Sequence, residues 1–266
     1  ETRLKEMLLR TKAQFEQRLA YNGLGIARTR LGSYLSNQGA YQDLTSGFGY
    51  YQFLHAVCKE TELRGVIEKL GIVQAPLFIQ FPEGEVNSAD ISADEFYNRL
   101  EAMRPQIPTT AQPSGGIFAE LYRKIAQAEK NILSVHISSG LSGTINAARD
   151  GGEQVKGEAN VNFWDTLTLS GGERFQVLAA AFASKAGWAM DKIHERLERI
   201  REKTEVIYTL DTLEYLARGG RIGRVKAMAG ALLNLKPVIR VDSDGKYTTV
   251  TNGRTLGKSI KAIAEH

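Results

Sequence analysis

The sequence contains a single cysteine, Cys58, among its 266 residues. One cysteine cannot form a disulfide within the chain, which excludes the disulfide-stapled cores of small secreted proteins. No long apolar run follows a basic start, so neither a secretory leader nor a membrane-spanning helix is indicated. The reducing cytoplasm is therefore the expected compartment, and only transient contact with a membrane surface is compatible with this sequence.

The sequence also lacks a strong excess of charge of either sign. Its formal net charge is +4, and 42% of its residues are hydrophobic. A dedicated nucleic-acid-binding protein concentrates basic residues on one face, often with interleaved aromatics. The basic cluster of Arg218, Arg221 and Arg224 has no such aromatics. We therefore expect a globular protein with a substantial core and no nucleic-acid partner.

A phosphate-binding loop is missing as well, although residues 169–174, LSGGER, resemble the signature of ATP-binding-cassette ATPases. Such ATPases need a GxxxxGK[ST] loop between a strand and a helix to hold the triphosphate, and the sequence contains no such string. The ATPase interpretation is therefore rejected. The remaining interpretation is a Gly-Gly turn followed by a helix, with Glu173 at the helix start, where the helix dipole favours a carboxylate.

The pattern of the sequence changes once along the chain. Residues 1–21 show the periodicity of an amphipathic helix, whereas residues 22–51 are rich in Gly, Tyr, Gln and Ser without periodicity. Helix and strand patterns then alternate, which is typical of an α/β protein with a largely parallel sheet. We predict an unassigned N-terminal arm over residues 1–55, an α/β domain over 56–204 and a smaller second domain over 205–266.

The predicted elements after the arm follow from apolar periodicity and from capping residues. An Asp-Gly pair between two apolar runs predicts a hairpin near the end of the chain. The predicted strands cover residues 72–81, 131–138, 161–166 and 205–210, and the hairpin covers 236–250. The predicted helices cover residues 62–71, 92–103, 115–129, 143–155, 174–187, 189–204, 213–220 and 224–233.

Two loops carry most of the polar side chains that follow predicted strands. The first, IPTTAQPSGG at residues 107–116, combines the hydroxyls of Thr109, Thr110 and Ser114 with the amide of Gln112. Its two prolines stiffen the backbone. In an α/β protein, loops at the carboxyl ends of the strands open onto one crevice, which makes this loop a candidate ligand site.

The second loop, HISSGLSGT at residues 136–144, places Ser138 and Ser139 beside Gly140 and Gly143, between an apolar strand and a helix. Glycine permits close approach of the backbone, and the first N–H groups of a helix have no partner within the helix. This composition suits an anion. A purely structural role, in which each loop only caps its helix, remains the alternative.

The residues by themselves leave the chemistry open. His136 precedes the serines but lacks a visible orienting group, so we predict a structural role for it. Arg221, flanked by glycines in GGRIG, presents a guanidinium that suits a carboxylate or a phosphate. The arrangement fits a protein that binds an anionic head group, and it fits an α/β enzyme whose serines and Arg221 clamp a small phosphorylated or acyl substrate.

Four ordered motifs resemble those of the DegV family of bacterial fatty-acid-binding proteins. They are PTTAQPS, HISSGLSGT, TLEYLARGGRIG and LLNLKPVIRVDSDGK, and the resemblance covers roughly residues 56–254. It implies an α/β fold with a Rossmann-like, mostly parallel sheet domain and a second, smaller α/β domain. Because the family continues beyond the equivalent of residue 266, the second domain is expected to be incomplete at its C-terminus.

The resemblance also implies a function. A member of this family encloses one long-chain fatty acid in an apolar tunnel between two domains and uses no other cofactor. Certain members present the acyl group to a fatty acid kinase, so the chain is expected to be a carrier rather than an enzyme. The residues that the resemblance places around the carboxylate are Thr109 or Thr110, Ser138 or Ser139, Gly140 and Gly143, with Arg221 near the head group.

Three features depart from the family pattern. The family's opening Asp-Ser-Thr loop is replaced by AVCKETELRG, the chain ends at KSIKAIAEH, and the arm over residues 1–55 has no counterpart. The arm is open to two further interpretations, a helix that packs on its own domain and a scaffold that binds a partner protein.

Overall fold

The computed structural model describes most of the chain that follows the predicted arm. The arm helix over residues 1–21 and nearly all of the predicted helix over 224–233 lie outside the described residues. The structure describes residues 60–210, 212–223, 225 and 235–266.

The chain divides into two compact units, Glu1–Ile72 and Val73–His266. The described part of the first unit is a helix, α1 (Glu60–Leu70), which ends at Gly71 in the left-handed conformation with φ of +68°. Glycine suits this position because it has no Cβ to clash. The predicted boundaries between residues 55 and 56 and between 204 and 205 stay predictions.

The second unit contains eight described strands in three sheets. In the first sheet β1 lies between β2 and β3, and both pairings are antiparallel. In the second, β4 and β5 are parallel. In the third, β7 lies between β6 and β8, again antiparallel. The strands are β1 (Phe78–Phe81), β2 (Gly84–Asn87), β3 (Thr109–Ala111), β4 (Asn131–His136), β5 (Asn160–Asp165), β6 (Ile207–Thr209), β7 (Lys236–Val241) and β8 (Tyr247–Gly253).

Two helices of the second unit begin directly after a serine that caps them. The hydroxyl of Ser92 accepts a hydrogen bond from the Glu95 amide at 3.1 Å and caps α2. The hydroxyl of Ser114 does the same for α3 through the Ile117 amide at 3.3 Å. The described helices of the second unit are α2 (Ala93–Ala102), α3 (Gly115–Ala126), α4 (Thr144–Gln154), α5 (Ser170–Lys185), α6 (Met190–Lys203), α7 (Glu214–Arg218) and α8 (Leu256–Glu265).

The α/β class is confirmed, with less parallel pairing among the described strands than the alternation of elements predicts. The predicted strand over residues 72–81 is shorter at its start, because only Phe78–Phe81 pair with neighbouring strands. After it, the chain reverses at residues 82–83 and pairs with itself as a hairpin. Residues 242–246 reverse the chain in the same way, as the Asp-Gly pair predicts. A short reversal forces antiparallel pairing, whereas the connection through α4 lets β4 and β5 run parallel.

The core of the second unit has three described apolar clusters. The first lies between α3, α4 and β4 and includes Phe118, Tyr122 and Ile132. The second packs the alanine face of α5 against Ile193 and Leu197 of α6. The third joins buried Ile222, Val225, Ile239 and Tyr247 to the half-buried Leu141, Leu169, Tyr208, Leu213, Leu216 and Val241. Leu141 and Leu169 belong to loops after β4 and β5, so the third cluster ties residues 73–204 to residues 205–266.

Gly151 of α4 packs closely against α3. A Cβ at this position would lie 2.6 Å from Phe118 Cβ and 2.7 Å from the Gly115 carbonyl oxygen, both on α3. Since atoms at these distances overlap, only glycine fits without movement of the backbone.

We predict that Gly151→Ala lowers the free energy of unfolding by about 1–3 kcal/mol, because the added methyl group overpacks the helix interface. Gly171→Ala is the matched control: it also adds a methyl group to a helix, but no atom lies within 4 Å of the new Cβ. The control is expected to be neutral or slightly stabilising. Urea denaturation of both variants measures the difference, and equal stabilities would contradict the close packing.

Candidate functional site

The two polar loops identified in the sequence lie against each other. A Cβ on Gly143 would lie 3.1 Å from Oε1 of Gln112, so the Gln112 amide rests on the glycine at the start of α4. The first loop, whose residues 108–110 form the PTT segment, therefore lies next to the second loop at the N-terminal end of α4. The second loop, residues 136–144, is called the SSG loop below. This proximity is required if both loops are to contact one head group.

Thr109 and Thr110 lie in the short strand β3 rather than in an irregular loop. Thr110 pairs with Ile79 and Thr109 with Gln80 of β1. The local sequence gives little sign of this strand, because its pairing partner is about thirty residues away. Both side chains are exposed. Since successive residues of a strand point to opposite faces, the two hydroxyls point in opposite directions.

The two adjacent serines of the SSG loop differ in their exposure to solvent. Ser138 is fully buried, and its hydroxyl donates a hydrogen bond to the Gly245 carbonyl oxygen at 2.7 Å. Ser139 is exposed. Its backbone amide donates to the carboxylate of Asp165 at 3.2 and 3.3 Å. The hydroxyl of Ser139, unlike that of Ser138, is thus open to a ligand.

Gly140 allows the close contact beneath Ser138. A Cβ on Gly140 would lie 2.7 Å from the Gly245 carbonyl oxygen, and the Gly140 amide donates to the Ser138 hydroxyl at 3.1 Å. Gly245 has a φ of +74°, and a Cβ on it would overlap Ser138 Oγ. Neither glycine can carry a side chain without displacing its neighbour.

Arg221 contacts the SSG loop from a position 80 residues further along the chain. Its Nε donates to the Leu141 carbonyl oxygen at 3.4 Å, and its Nη1 donates to the Gly219 carbonyl oxygen at 2.6 Å. The side chain is exposed, and Nη2 has no hydrogen bond to the described residues. The structure thus brings Arg221 to the loop that holds Ser138 and Ser139.

The sequence interpretation assigned no role to two residues that support these loops. Asp165, at the end of β5, holds the Ser139 amide and also accepts from the Leu167 amide at 3.0 Å. Arg218 donates to the Pro105 carbonyl oxygen at 2.6 Å, just before the PTT segment. The position of Asp165 at the end of the predicted strand was the signal that could have indicated its role. Nothing in the local sequence indicates the contact of Arg218, because the two residues are 113 positions apart.

His136 is part of a buried polar chain. Its Nε2 lies 2.7 Å from the Ser134 hydroxyl, which in turn lies 2.8 Å from the hydroxyl of Tyr122. The imidazole ring also packs edge to face against the ring of Phe118. Burial lowers the pKa of His136 to about 4, against the opposing effect of Asp165 and with a small contribution from Arg149. The imidazole is therefore neutral near pH 7, in line with a structural role.

The LSGG stretch has a packing role in this fold. Leu169 packs into the third apolar cluster, and α5 begins at Ser170, so both glycines lie in the first turn of the helix rather than in a turn before it. A Cβ on Gly172 would lie 2.6 Å from Thr168 Oγ1 and 2.8 Å from Val206 Cγ2. Burial raises the pKa of the adjacent Glu173 to about 7.

A cavity of about 630 Å³ opens at the C-terminal end of α6. Ion pairs of Arg201 with Glu198 and of Arg240 with Glu205 lie on its wall. None of the seven residues predicted to bind a ligand lines this cavity. Within the described ranges, no three His, Cys, Asp or Glu side chains are grouped closely enough to hold a metal ion, and no described helix is long and apolar enough to cross a bilayer.

The pKa of His136 predicts how stability depends on pH. The folded value is about 4 and the reference value is 6.5, so between these values the unfolded chain binds the proton more tightly. The contribution of the neutral His136 to the free energy of unfolding is therefore complete above pH 6.5 and decreases as the pH falls towards 4. Relative to His136→Gln, the wild-type protein is expected to lose about 3 kcal/mol of unfolding free energy between pH 7 and pH 4.

Urea unfolding at several pH values measures this difference. The control is Asn98→Ala, which replaces an exposed side chain that cannot titrate and is therefore expected to keep the wild-type pH dependence. Parallel curves for wild type and His136→Gln would show that the imidazole is not held neutral by the fold.

Comparison with known proteins gives two family matches. Residues 62–266 match the family described as "Uncharacterised protein, DegV family". Residues 1–57 match a family described as associated with a class of peptidases, and this segment lies outside the described residues. The arm that was left unassigned from the sequence therefore has a similarity of its own.

Individual relatives agree with the first match. The DegV domain-containing protein YejH of Lactococcus lactis is 36% identical over 201 residues, which cover 76% of this chain and 71% of that protein. A DegV domain-containing protein of Deinococcus radiodurans is 37% identical over 190 residues, covering 71% of this chain and 65% of that protein. The chain thus spans about two thirds of the length of these relatives.

Solved structures show the same fold. A structure described as fatty acid binding of a DegV family protein from Thermus thermophilus superposes with a TM-score of 0.68 at 31% identity, covering 76% of this chain and 72% of that one. DegV from Bacillus subtilis, described as a fatty acid binding protein, gives 0.67 at 29% identity, with 76% and 71% covered. With a family match over residues 62–266, the chain belongs to the DegV family.

Proposed function

We propose that this protein binds a long-chain fatty acid and holds its carboxylate at the junction of the PTT segment and the SSG loop. The observation that carries the proposal is the meeting of three distant motifs at one place. Gln112 rests on Gly143, and Arg221 bonds to the carbonyl of Leu141. Two relatives with the same fold, from Thermus thermophilus and Bacillus subtilis, are described as binding fatty acids.

The chemistry of the exposed groups fits a carboxylate. A carboxylate buried without partners is costly, whereas hydroxyl and guanidinium donors stabilise it by hydrogen bonds. The exposed hydroxyls of Ser139 and of Thr109 or Thr110, together with Nη2 of Arg221, supply such donors. Each buried methylene group adds about 0.8 kcal/mol, so the acyl chain supplies the affinity and these polar groups supply the orientation.

The two threonines have different parts in this proposal. Because they point to opposite faces of β3, only one of them can contact a given carboxylate. Thr110 lies beside the buried Ile79, whereas Thr109 lies beside the half-buried Gln80. Single substitutions of the two residues therefore serve as controls for each other.

The finer role that we propose is that of a carrier that presents the fatty acid to a kinase. It is supported by the membership of the chain in the DegV family, since the family resemblance implies that certain members present their acyl group to a fatty acid kinase. A mixture of the loaded protein, a bacterial fatty acid kinase and ATP is expected to form acyl phosphate. Turnover of a small phosphorylated substrate by the protein alone, with no lipid bound, would instead favour an α/β enzyme.

The first prediction of this proposal concerns the bound lipid. Native mass spectrometry of the purified protein, followed by solvent extraction, is expected to reveal one fatty acid per chain. If no adduct forms even after incubation with palmitate or oleate, the binding proposal is wrong for this chain.

The second prediction concerns the head group. In delipidated protein, Ser139→Ala is expected to weaken palmitate binding by about ten- to a hundredfold, because a hydrogen bond to a charged group is lost. One of Thr109→Ala and Thr110→Ala is expected to have a similar effect and the other almost none. The loss of affinity is expected to be equal for palmitate and stearate, because the acyl contacts are unchanged. Unchanged binding in all three variants would exclude this carboxylate site.

A further inference from the structure

We propose that Ser138 is a positioning residue, and that the tip of the β7–β8 hairpin sets the geometry of the SSG loop through it. The hairpin tip is defined as residues 242–246. In this arrangement Ser138 does not contact the ligand. It holds the backbone that presents Ser139, and residues distant in sequence thereby become part of the head-group site. The inference rests on the proposed function for its effect on binding, but not for its effect on the loop.

The hydrogen bonds of Ser138 support this role. The hydroxyl donates to the Gly245 carbonyl oxygen and accepts from the Gly140 amide, at 2.7 and 3.1 Å. The backbone amide of Ser138 donates to the Thr168 carbonyl oxygen at 2.9 Å, and its carbonyl oxygen accepts from the Leu141 amide at 3.0 Å. The donor of the hydroxyl is thus used within the protein, and the residue has no exposed surface.

The packing around the hairpin tip leaves no space for a ligand between the two segments. The backbone of Gly245 and the side chain of Lys246 fill the position that a Cβ of Gly140 would take, at 2.7 to 2.9 Å. Leu167 Cδ2 lies 3.2 Å from the Cβ position of Gly245. The contact therefore requires a glycine at residue 245. There is no room for a Cβ at this position, and its φ of +74° is unfavourable for residues that have one.

Hydrogen bonds from two arginine side chains also connect residues 205–266 to residues 73–204. Arg218 bonds to the Pro105 carbonyl oxygen near the PTT segment, and Arg221 bonds to the Leu141 carbonyl oxygen in the SSG loop. Each link joins residues 205–266 to a backbone carbonyl in residues 73–204. The bond from Ser138 to Gly245 is the buried link of this set, so its loss cannot be replaced by water as readily as the loss of an exposed link.

The test is a double-mutant cycle of Ser138→Ala and Gly245→Ala. The methyl group added in Gly245→Ala would overlap Ser138 Oγ, and it is therefore expected to displace the hydroxyl and weaken palmitate binding about tenfold. Ser138→Ala removes the clashing oxygen. The double variant is thus expected to be more stable than Gly245→Ala alone and to bind palmitate no worse than it does.

A direct ligand role for Ser138 predicts a different result. Displacement from the Gly245 carbonyl would then free the hydroxyl for the carboxylate, and Gly245→Ala would bind palmitate as well as the wild type or better. Additive effects on stability and binding in the double variant would likewise overturn the proposal. Ser243→Ala, at an exposed position in the hairpin tip, is the matched control and is expected to bind as the wild type does.

A second readout does not depend on fatty acid binding. In ligand-free protein labelled with ¹⁵N, Gly245→Ala is expected to shift the amide resonances of Ser139 and Gly140, whereas Ser243→Ala leaves them in place. If these shifts occur but palmitate does not bind, the positioning role holds and the proposed function fails. If the amides do not move, the positioning proposal itself is wrong.

Discussion

The hydrogen bond from the Ser138 hydroxyl to the Gly245 carbonyl oxygen is the buried polar contact on which, as we propose, the arrangement of the candidate site depends. It joins a loop after the parallel strands to the tip of the last described hairpin. The contact requires a small hydroxyl residue on one side and a glycine with positive φ on the other. Beside it, Leu141 and Leu169 extend the apolar cluster of residues 205–266 into the preceding part of the unit. A buried polar contact and an apolar cluster thus fix the same loop.

Support for the loop comes from two separate segments that follow it in the chain. Asp165 holds the Ser139 amide from the end of the neighbouring parallel strand, and Arg221 holds the Leu141 carbonyl from the GGRIG segment. With the backbone held in this way, the exposed Ser139 hydroxyl has a defined position at small entropic cost on binding. The buried His136 is neutral near pH 7 and adds no charge near the proposed carboxylate site.

Much of the fold could be predicted from local sequence. Ser92 and Ser114 mark the starts of α2 and α3, and the Asp-Gly pair marks the β7–β8 hairpin. These signals act within a few residues, so the sequence displays them directly. The chain reversal at residues 82–83 and the strand at Thr109–Ala111 were not foreseen. The strand at Thr109–Ala111 pairs with β1, a distant partner that local pattern does not record. The reversal at residues 82–83 is local, and Pro82 and Gly84 were the signals that could have indicated it.

The sequence by itself determined the family, the α/β class and the set of motifs that surround the candidate site, because the spacing and order of these motifs are properties of the chain. Tertiary structure alone decided which residues of each motif face outward. Ser138 and Ser139 are adjacent and chemically identical, yet one is buried beneath Gly245 and the other is exposed. The physical reason is that burial is set by whichever segment packs on a residue, and here that segment comes from 107 residues further along the chain.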